Sequence, residues 1–390
     1  MPGKLAVALT FTLILMLITG AFAGTEKVLY SFTGGDDGDQ PYAGVIFDSA
    51  GNLYGTTQFG GAHGAGVVFK LAHSTTGWKE SVLYTFTGGA DGSLPLGGVI
   101  FDDAGNLYGT AANGGDPNCQ CGLVFKLAPS GSGWTFSVLH AFTGGNDGAN
   151  PAASLIFNGS LGGTTVGGGS HGRGTAFYLP TSGGADFVIP FNGYNANQPW
   201  ASLTGRHGTS YYGGKYSAGN VFELTYGRNS RVTYSFDPAK PLGYHPLGAL
   251  LADAHGNLYG TTYSGGVGGH GAVYELIWNP SYGRYKPVAL HGFTFTDGAS
   301  PASGLVIDAA GNLYGTTTFG GNAPNPDGVV FKLTPGPDNK WTETVLYNFG
   351  GGVDGGALYS TIVSDAAGNL YGTGIDGGAH GHGVVFEVVP

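Results

Sequence analysis

The chain has 390 residues, 77 of them glycine, and 13% of its residues are aromatic. That many large rings exclude a disordered polymer, and glycine without a Gly-X-Y period excludes collagen. With 15 basic against 25 acidic residues the formal charge is −10, which disfavours nucleic acid and anionic lipid as partners.

The first element in chain order is a leader. Lys4 supplies a positive charge, residues 5–18 an apolar run, and Ala21-Phe22-Ala23 a small-x-small cleavage site, so residues 1–23 read as a secretory signal peptide. The expected product is a secreted protein, extracellular or periplasmic, with no stable membrane insertion after cleavage. The alternative is an uncleaved anchor, because the apolar run approaches the ~18–20 residues that span a bilayer.

Residues 24–390 form one repeat array. A strand predicted over 26–33 opens it. The phrase Asn52-Leu53-Tyr54-Gly55-Thr56-Thr57 follows and returns from Asn106, Asn257, Asn312 and Asn369. A fixed period of this size marks stacked copies that bury together what one copy cannot bury alone. The best-preserved copy reads as four strands: a over 44–48, b over 52–57, c over 67–71 and d over 81–86. Gly51 is placed for a positive φ in the a–b turn. Strands c and d are apolar on both faces, as strands sandwiched between neighbouring sheets must be. A glycine in mid-strand, such as Gly55 or Gly315, implies close approach of another group, and crowding between adjacent blades near the axis is the expected cause. Seven strand-d segments can be counted, from 28–30 to 345–347. The chain begins on a strand d and ends on a strand c. The prediction is therefore an all-β, seven-bladed β-propeller of four-stranded blades, closed by the N-terminal outer strand joining the last blade. The third and fourth copies are degenerate around Leu161 and Tyr211.

In this strand order the d–a and b–c loops share one face. The d–a loops carry Asp37, Asp91, Asp147, Asp297 and Asp354, each followed by glycine. The b–c loops carry His63, His171, His270, His380 and His382. Carboxylates and imidazoles around a mouth suit Ca²⁺ or another divalent metal, or an acid–base pair, whereas Asp-Gly is also ordinary turn chemistry. The strand-a aspartates, from Asp48 to Asp365, read as turn caps on the opposite face. Trp78, Trp134, Trp278 and Trp341, in or beside c–d hairpins, read as packing groups. Trp200 differs. It follows Pro199 at the entry to blade four, near Tyr194, Tyr211 and Tyr212, and these four are the aromatic candidates for ligand contact. Cys119 and Cys121 form either a small disulfide or two thiols.

The sequence Asp-x-x-Gly-Asn-Leu-Tyr-Gly-Thr-Thr, then Gly-x-Val-Phe-Lys-Leu, then Val-Leu-Tyr-x-Phe with a Gly-Gly-x-Asp-Gly loop, resembles the GloVer tandem repeat of secreted bacterial proteins. Its strand order is similar to NHL-like propellers. The resemblance implies a secreted propeller and supplies no catalytic residues. The function expected is a monomeric binding module for a glycan, a peptide or a surface protein. The alternative is a metal-assisted hydrolase or polysaccharide lyase working at the propeller mouth.

Overall fold

A computed structural model describes residues 24–75, 77–184 and 187–390. The leader, residues 1–23, lies outside the described residues. Seven antiparallel sheets follow one another around an axis. Blade one consists of strand a (Ile46–Phe47), strand b (Leu53–Thr57), strand c (Val67–Ser74) and strand d (Gly77–Thr85). In blade seven, strands a (Val363–Ser364), b (Leu370–Gly374) and c (Val384–Val389) are completed by Thr25–Ser31, which pairs antiparallel with Val384–Val389. Among the described residues no helix is long and apolar enough to cross a membrane.

Strand a and blade four differ from the sequence reading. Strand a is only two residues long where five were expected. Near the axis the blade edges converge, and a Cβ on Gly44 would lie 2.4 Å from the Thr361 carbonyl of blade seven, so the backbone packs edge to edge there instead of laddering. Blade four has three strands, His207–Ser210, Asn220–Thr225 and Asn229–Ser235. Its copy lacks the Asp-x-x-Gly-Asn hairpin. Thr204 and His207 exchange two short hydrogen bonds (2.8 and 2.9 Å) directly, which leaves a single bridge in place of strand a.

Two buried rings tie the blades together. The first threonine of each strand-b phrase donates its hydroxyl to a carbonyl beside strand a of the next blade. Thr56 bonds Gly97 O at 3.1 Å and Thr110 bonds Ala153 O at 3.0 Å. The degenerate copies keep this bond, Thr164 to Ala201 O and Thr209 to Gly248 O, both at 3.1 Å. Thr261 and Thr316 continue it, and Thr373 closes the circle on Ala43 O at 3.0 Å.

The second ring is aromatic. Phe69 of strand c lies over Gly55 of the same blade, where a Cβ would stand 2.6 Å from the ring. Gly109, Gly163, Gly208, Gly260, Gly315 and Gly372 do the same for Phe125, Phe177, Phe222, Tyr274, Phe331 and Phe386. The mid-strand glycine thus answers crowding inside a blade, not between blades as the sequence suggested. The covering ring then meets an aromatic that follows strand d of the preceding blade. Phe32 and Phe69 are 5.1 Å apart edge to face, Phe86 and Phe125 5.3 Å, and Phe349 and Phe386 4.8 Å. Such pairs add about 0.5–1.5 kcal/mol each beyond area burial.

Candidate functional site

The d–a and b–c loops of every blade are joined by a backbone bridge, such as Asp39 with Phe59, Asn197 with Tyr212 and Gly356 with Asp376. They form one continuous loop face. At its centre each blade contributes one non-glycine residue in the left-handed region: Gln40, Leu94, Asn150, Gln198, His245, Ser300 and Ala357, with φ between 51° and 59°. That conformation costs an L-residue about 1–2 kcal/mol. It places both backbone polar groups of the residue at a joint. Gln198 donates its N–H to Arg173 O of the preceding blade at 3.2 Å, and its carbonyl accepts from Tyr211 N at 3.1 Å. Gln40 repeats this with His382 O and Gln58 N, both at 3.0 Å.

A proline follows this residue in six blades, and Leu358 in the seventh. The next side chain lines the central channel. These seven are Tyr42, Leu96, Ala152, Trp200, Leu247, Ala302 and Tyr359. The backbone is repeated here but the side chains are not, so the mouth is asymmetric. Tyr42 and Tyr359 stack at 4.9 Å with planes 20° apart. Tyr42 also shares a cavity of about 300 Å³ with Gln198, Trp200, Tyr211 and Leu247. Tyr211 stacks on His245 at 4.2 Å, and Tyr212 meets Tyr211 edge-on at 4.7 Å.

The groups around this cavity are held neutral. Burial, then the neighbouring phenols Tyr359 and Tyr263, push Tyr42 up to about 12. Burial also raises Tyr211 and Tyr359 and lowers His245. Asp376 and Asp327 lie near enough to Tyr359 to add to its shift, which puts a negative field on the blade six and seven side. Neutral rings with hydroxyl and amide edges can stack a flat ligand and exchange hydrogen bonds with it.

The structure sorts the sequence candidates. Trp200 and Tyr211 line the cavity, Tyr212 buttresses it, and Tyr194 stands outside it, 59% exposed. Each Asp-Gly carboxylate is engaged by its own loop. Asp37 accepts from Tyr30 OH and Thr33 N, both at 2.9 Å, and from the Thr33 hydroxyl. Asp91 repeats the pattern with Tyr84 and Thr87, and against partial burial these bonds hold it below the ordinary carboxylate value. Asp147 and Asp297 pair with His140 (3.2 Å) and His291 (3.1 Å). Asp354 accepts from Gly350 N at 2.8 Å. The b–c histidines do not converge. His63 and His380 are exposed, His171 meets Ser170 Oγ at 3.0 Å, His270 lies edge-on to Phe295, and His382 meets Asp39 at 3.0 Å. Among the described residues no three His, Cys, Asp or Glu side chains are grouped to hold a metal ion. Cys119 and Cys121 lie side by side, their sulfurs in contact.

Tyr42, Tyr263, Leu247 and Tyr359 were not singled out from the sequence. The available signal was the recurrent Asp-Gly-x-x-Pro-x, as in Asp37 to Tyr42 and Asp91 to Leu96, whose last position is the variable wall of the mouth.

These features define a seven-bladed β-propeller whose repeated polar residues serve the ring and whose variable residues gather at one central mouth. The chain belongs to the Gloeobacter/Verrucomicrobia repeat family, whose model matches residues 18–211 and 206–386. No curated protein matches it significantly. Among solved structures it is similar to a proposed 6-phosphogluconolactonase from Bacteroides uniformis, at 15% identity and a TM-score of 0.52, covering 82% of this chain and 88% of that one. It is also similar to the periplasmic gluconolactonase of Pseudomonas aeruginosa, at 13% identity and a TM-score of 0.49, covering 86% and 96%. At these identities the likeness is one of fold.

Proposed function

We propose that this protein is a secreted, monomeric carbohydrate-binding propeller that seats a sugar at its central mouth. One observation carries the reading: Tyr42, Trp200 and Tyr211, contributed by blades one and four, face a single neutral cavity of about 300 Å³ together with Gln198 and Leu247. Pyranose faces are apolar and pack on aromatic rings, while their hydroxyls need the amide and phenol partners that Gln198 and the tyrosines offer. Secretion is supported by the leader-like residues 1–23.

The hydrolase or lyase alternative has less support. The carboxylates it needs are tied into their own turns, as Asp37 and Asp91 show. The test is an oligosaccharide array followed by calorimetric titration of the mature protein. Binding should weaken by about 2 kcal/mol, roughly thirtyfold, in Trp200→Ala, with an unchanged melting temperature. Absence of any oligosaccharide ligand, or turnover of one, would sink the reading.

A further inference from the structure

Cationic side chains on the loop face are confined to one sector. Its d–a and b–c loops contain eleven aspartates and only three cationic residues, Arg173, Lys215 and Lys240. Arg173 and Lys215 lie in the b–c loops of blades three and four, Lys240 lies with Asp237 in the loop that enters blade five, and all three cations are exposed. Among the described residues none of them pairs with a carboxylate. The Arg173 backbone is held by the joint described above, its carbonyl accepting from Gln198 N at 3.2 Å, and its side chain runs past Gly193. Lys215 lies over the Tyr216 ring at 5.0 Å.

The same sector carries exposed rings. Trp200 and Tyr212 are 38% exposed, Tyr216 45% and Tyr194 59%. The two loops that bear them are knit together by Tyr212 N to Asn197 O (3.1 Å) and Gly214 N to Tyr194 O (2.8 Å), so the rings sit on a braced surface that leads from the mouth outward over blade four. Asp327 and Asp376 stand on the other side of the mouth, near Tyr359. A ligand across this face therefore meets Asp327 and Asp376 on one side, and on the other aromatic rings with Arg173 and Lys215, which pair with no carboxylate among the described residues, and with Asp237 near Tyr234.

We propose that the ligand is an acidic oligosaccharide, a chain bearing uronate carboxylates, with one residue in the mouth and further residues laid over Tyr212 and Tyr194. Its carboxylates meet Arg173 and Lys215. This rests on the carbohydrate reading above and adds the sign of the charge and the direction of the chain. Unpaired arginine and lysine at the edge of stacking rings satisfy a carboxylate through charge-assisted hydrogen bonds.

The test is calorimetric titration of the mature protein with oligogalacturonate, oligoguluronate and oligoglucuronate, each beside its carboxyl-reduced, neutral counterpart of equal length. The acidic form of at least one chain should bind about tenfold more tightly than its reduced form. That margin should shrink in high salt and vanish in the Arg173→Gln/Lys215→Gln variant, which should still bind the reduced form as the wild type does. Equal affinity for acidic and reduced chains, or an unchanged margin in the double variant, overturns the charge assignment and leaves carbohydrate binding standing. Binding of none of the chains, acidic or reduced, overturns the proposal together with the reading it rests on. Binding of a protein at these residues in place of any glycan overturns it as well.

Discussion

Asp48 receives four hydrogen bonds from one turn: the N–H groups of Ala50 and Asn52 at 2.9 Å, the Asn52 amide at 2.7 Å and the Tyr54 hydroxyl at 3.0 Å. Burial opposes its charge, but these donors prevail and hold it below its ordinary value, as they do Asp102, Asp308 and Asp365. The turn-cap role was legible in the sequence. The tyrosine contact was not read, and it follows from the hairpin register: Tyr54 pairs with Ile46 and is the diagonal neighbour of Asp48. Asp308→Ala should cost about 1–3 kcal/mol by orphaning its donors, read as a fall in the denaturant midpoint. The rim behaves oppositely. Glu26, Glu80 and Glu343 of three d strands each leave one buried oxygen without a partner. Burial, then the carboxylate of Asp354, Asp37 or Asp297, pushes each up to about 7 from an ordinary 4.5. A raised carboxyl contributes stability that is complete below 4.5 and is lost as pH rises through 7. The lowered aspartates contribute above their ordinary 3.8 and lose it in stronger acid. The melting temperature should therefore rise between pH 7.5 and pH 5. The triple variant Glu26→Gln/Glu80→Gln/Glu343→Gln should flatten that rise, and an unchanged slope would refute the assignment.

At the scale of the strand, the glycine of the Asn-Leu-Tyr-Gly-Thr phrase is explained by one contact. Adding a methyl at Gly315 would set a carbon 2.7 Å from the Phe331 ring and 2.8 Å from Leu305. Gly315→Ala should destabilise by about 1–3 kcal/mol through overpacking, and Phe331→Leu in the same chain should recover part of the loss. Equal destabilisation in single and double variants would contradict the contact. Strand b, strand c and the a–b hairpin could be read directly, since alternating β-branched and aromatic residues between turn signals specify them locally. Strand a was overestimated because its residues are apolar and β-prone, and nothing local announces that seven edges converge on the axis. Blade four lost its strand a for a reason the sequence did show, the absence of the Asp-x-x-Gly-Asn turn, although the number of strands left could not be counted from it.

Over the whole molecule, ring closure determines both stability and site. Thr25–Ser31 covers the open edge of Val384–Val389, and Thr373 bonds Ala43 O across the same joint. A variant lacking residues 24–33 should lose the burial of Leu29 and Phe32, about 1.5–3 kcal/mol for each side chain, and should associate through the exposed edge, measured by thermal unfolding and light scattering. Closure also brings Tyr42 of blade one to the cavity of Trp200 and Tyr211 in blade four. The count of seven strand-d segments anticipated the ring. It could not anticipate the mouth, because the positions that wall it vary from blade to blade and meet only when the circle is complete. One paired measurement tests the proposed division of function to these variable residues and structure to the repeated ones. With the best oligosaccharide ligand, Trp200→Ala should lose roughly thirtyfold in affinity at an unchanged melting temperature, and Asp297→Ala should lower the melting temperature at an unchanged affinity. The opposite pattern, affinity lost with Asp297 and kept without Trp200, would contradict it.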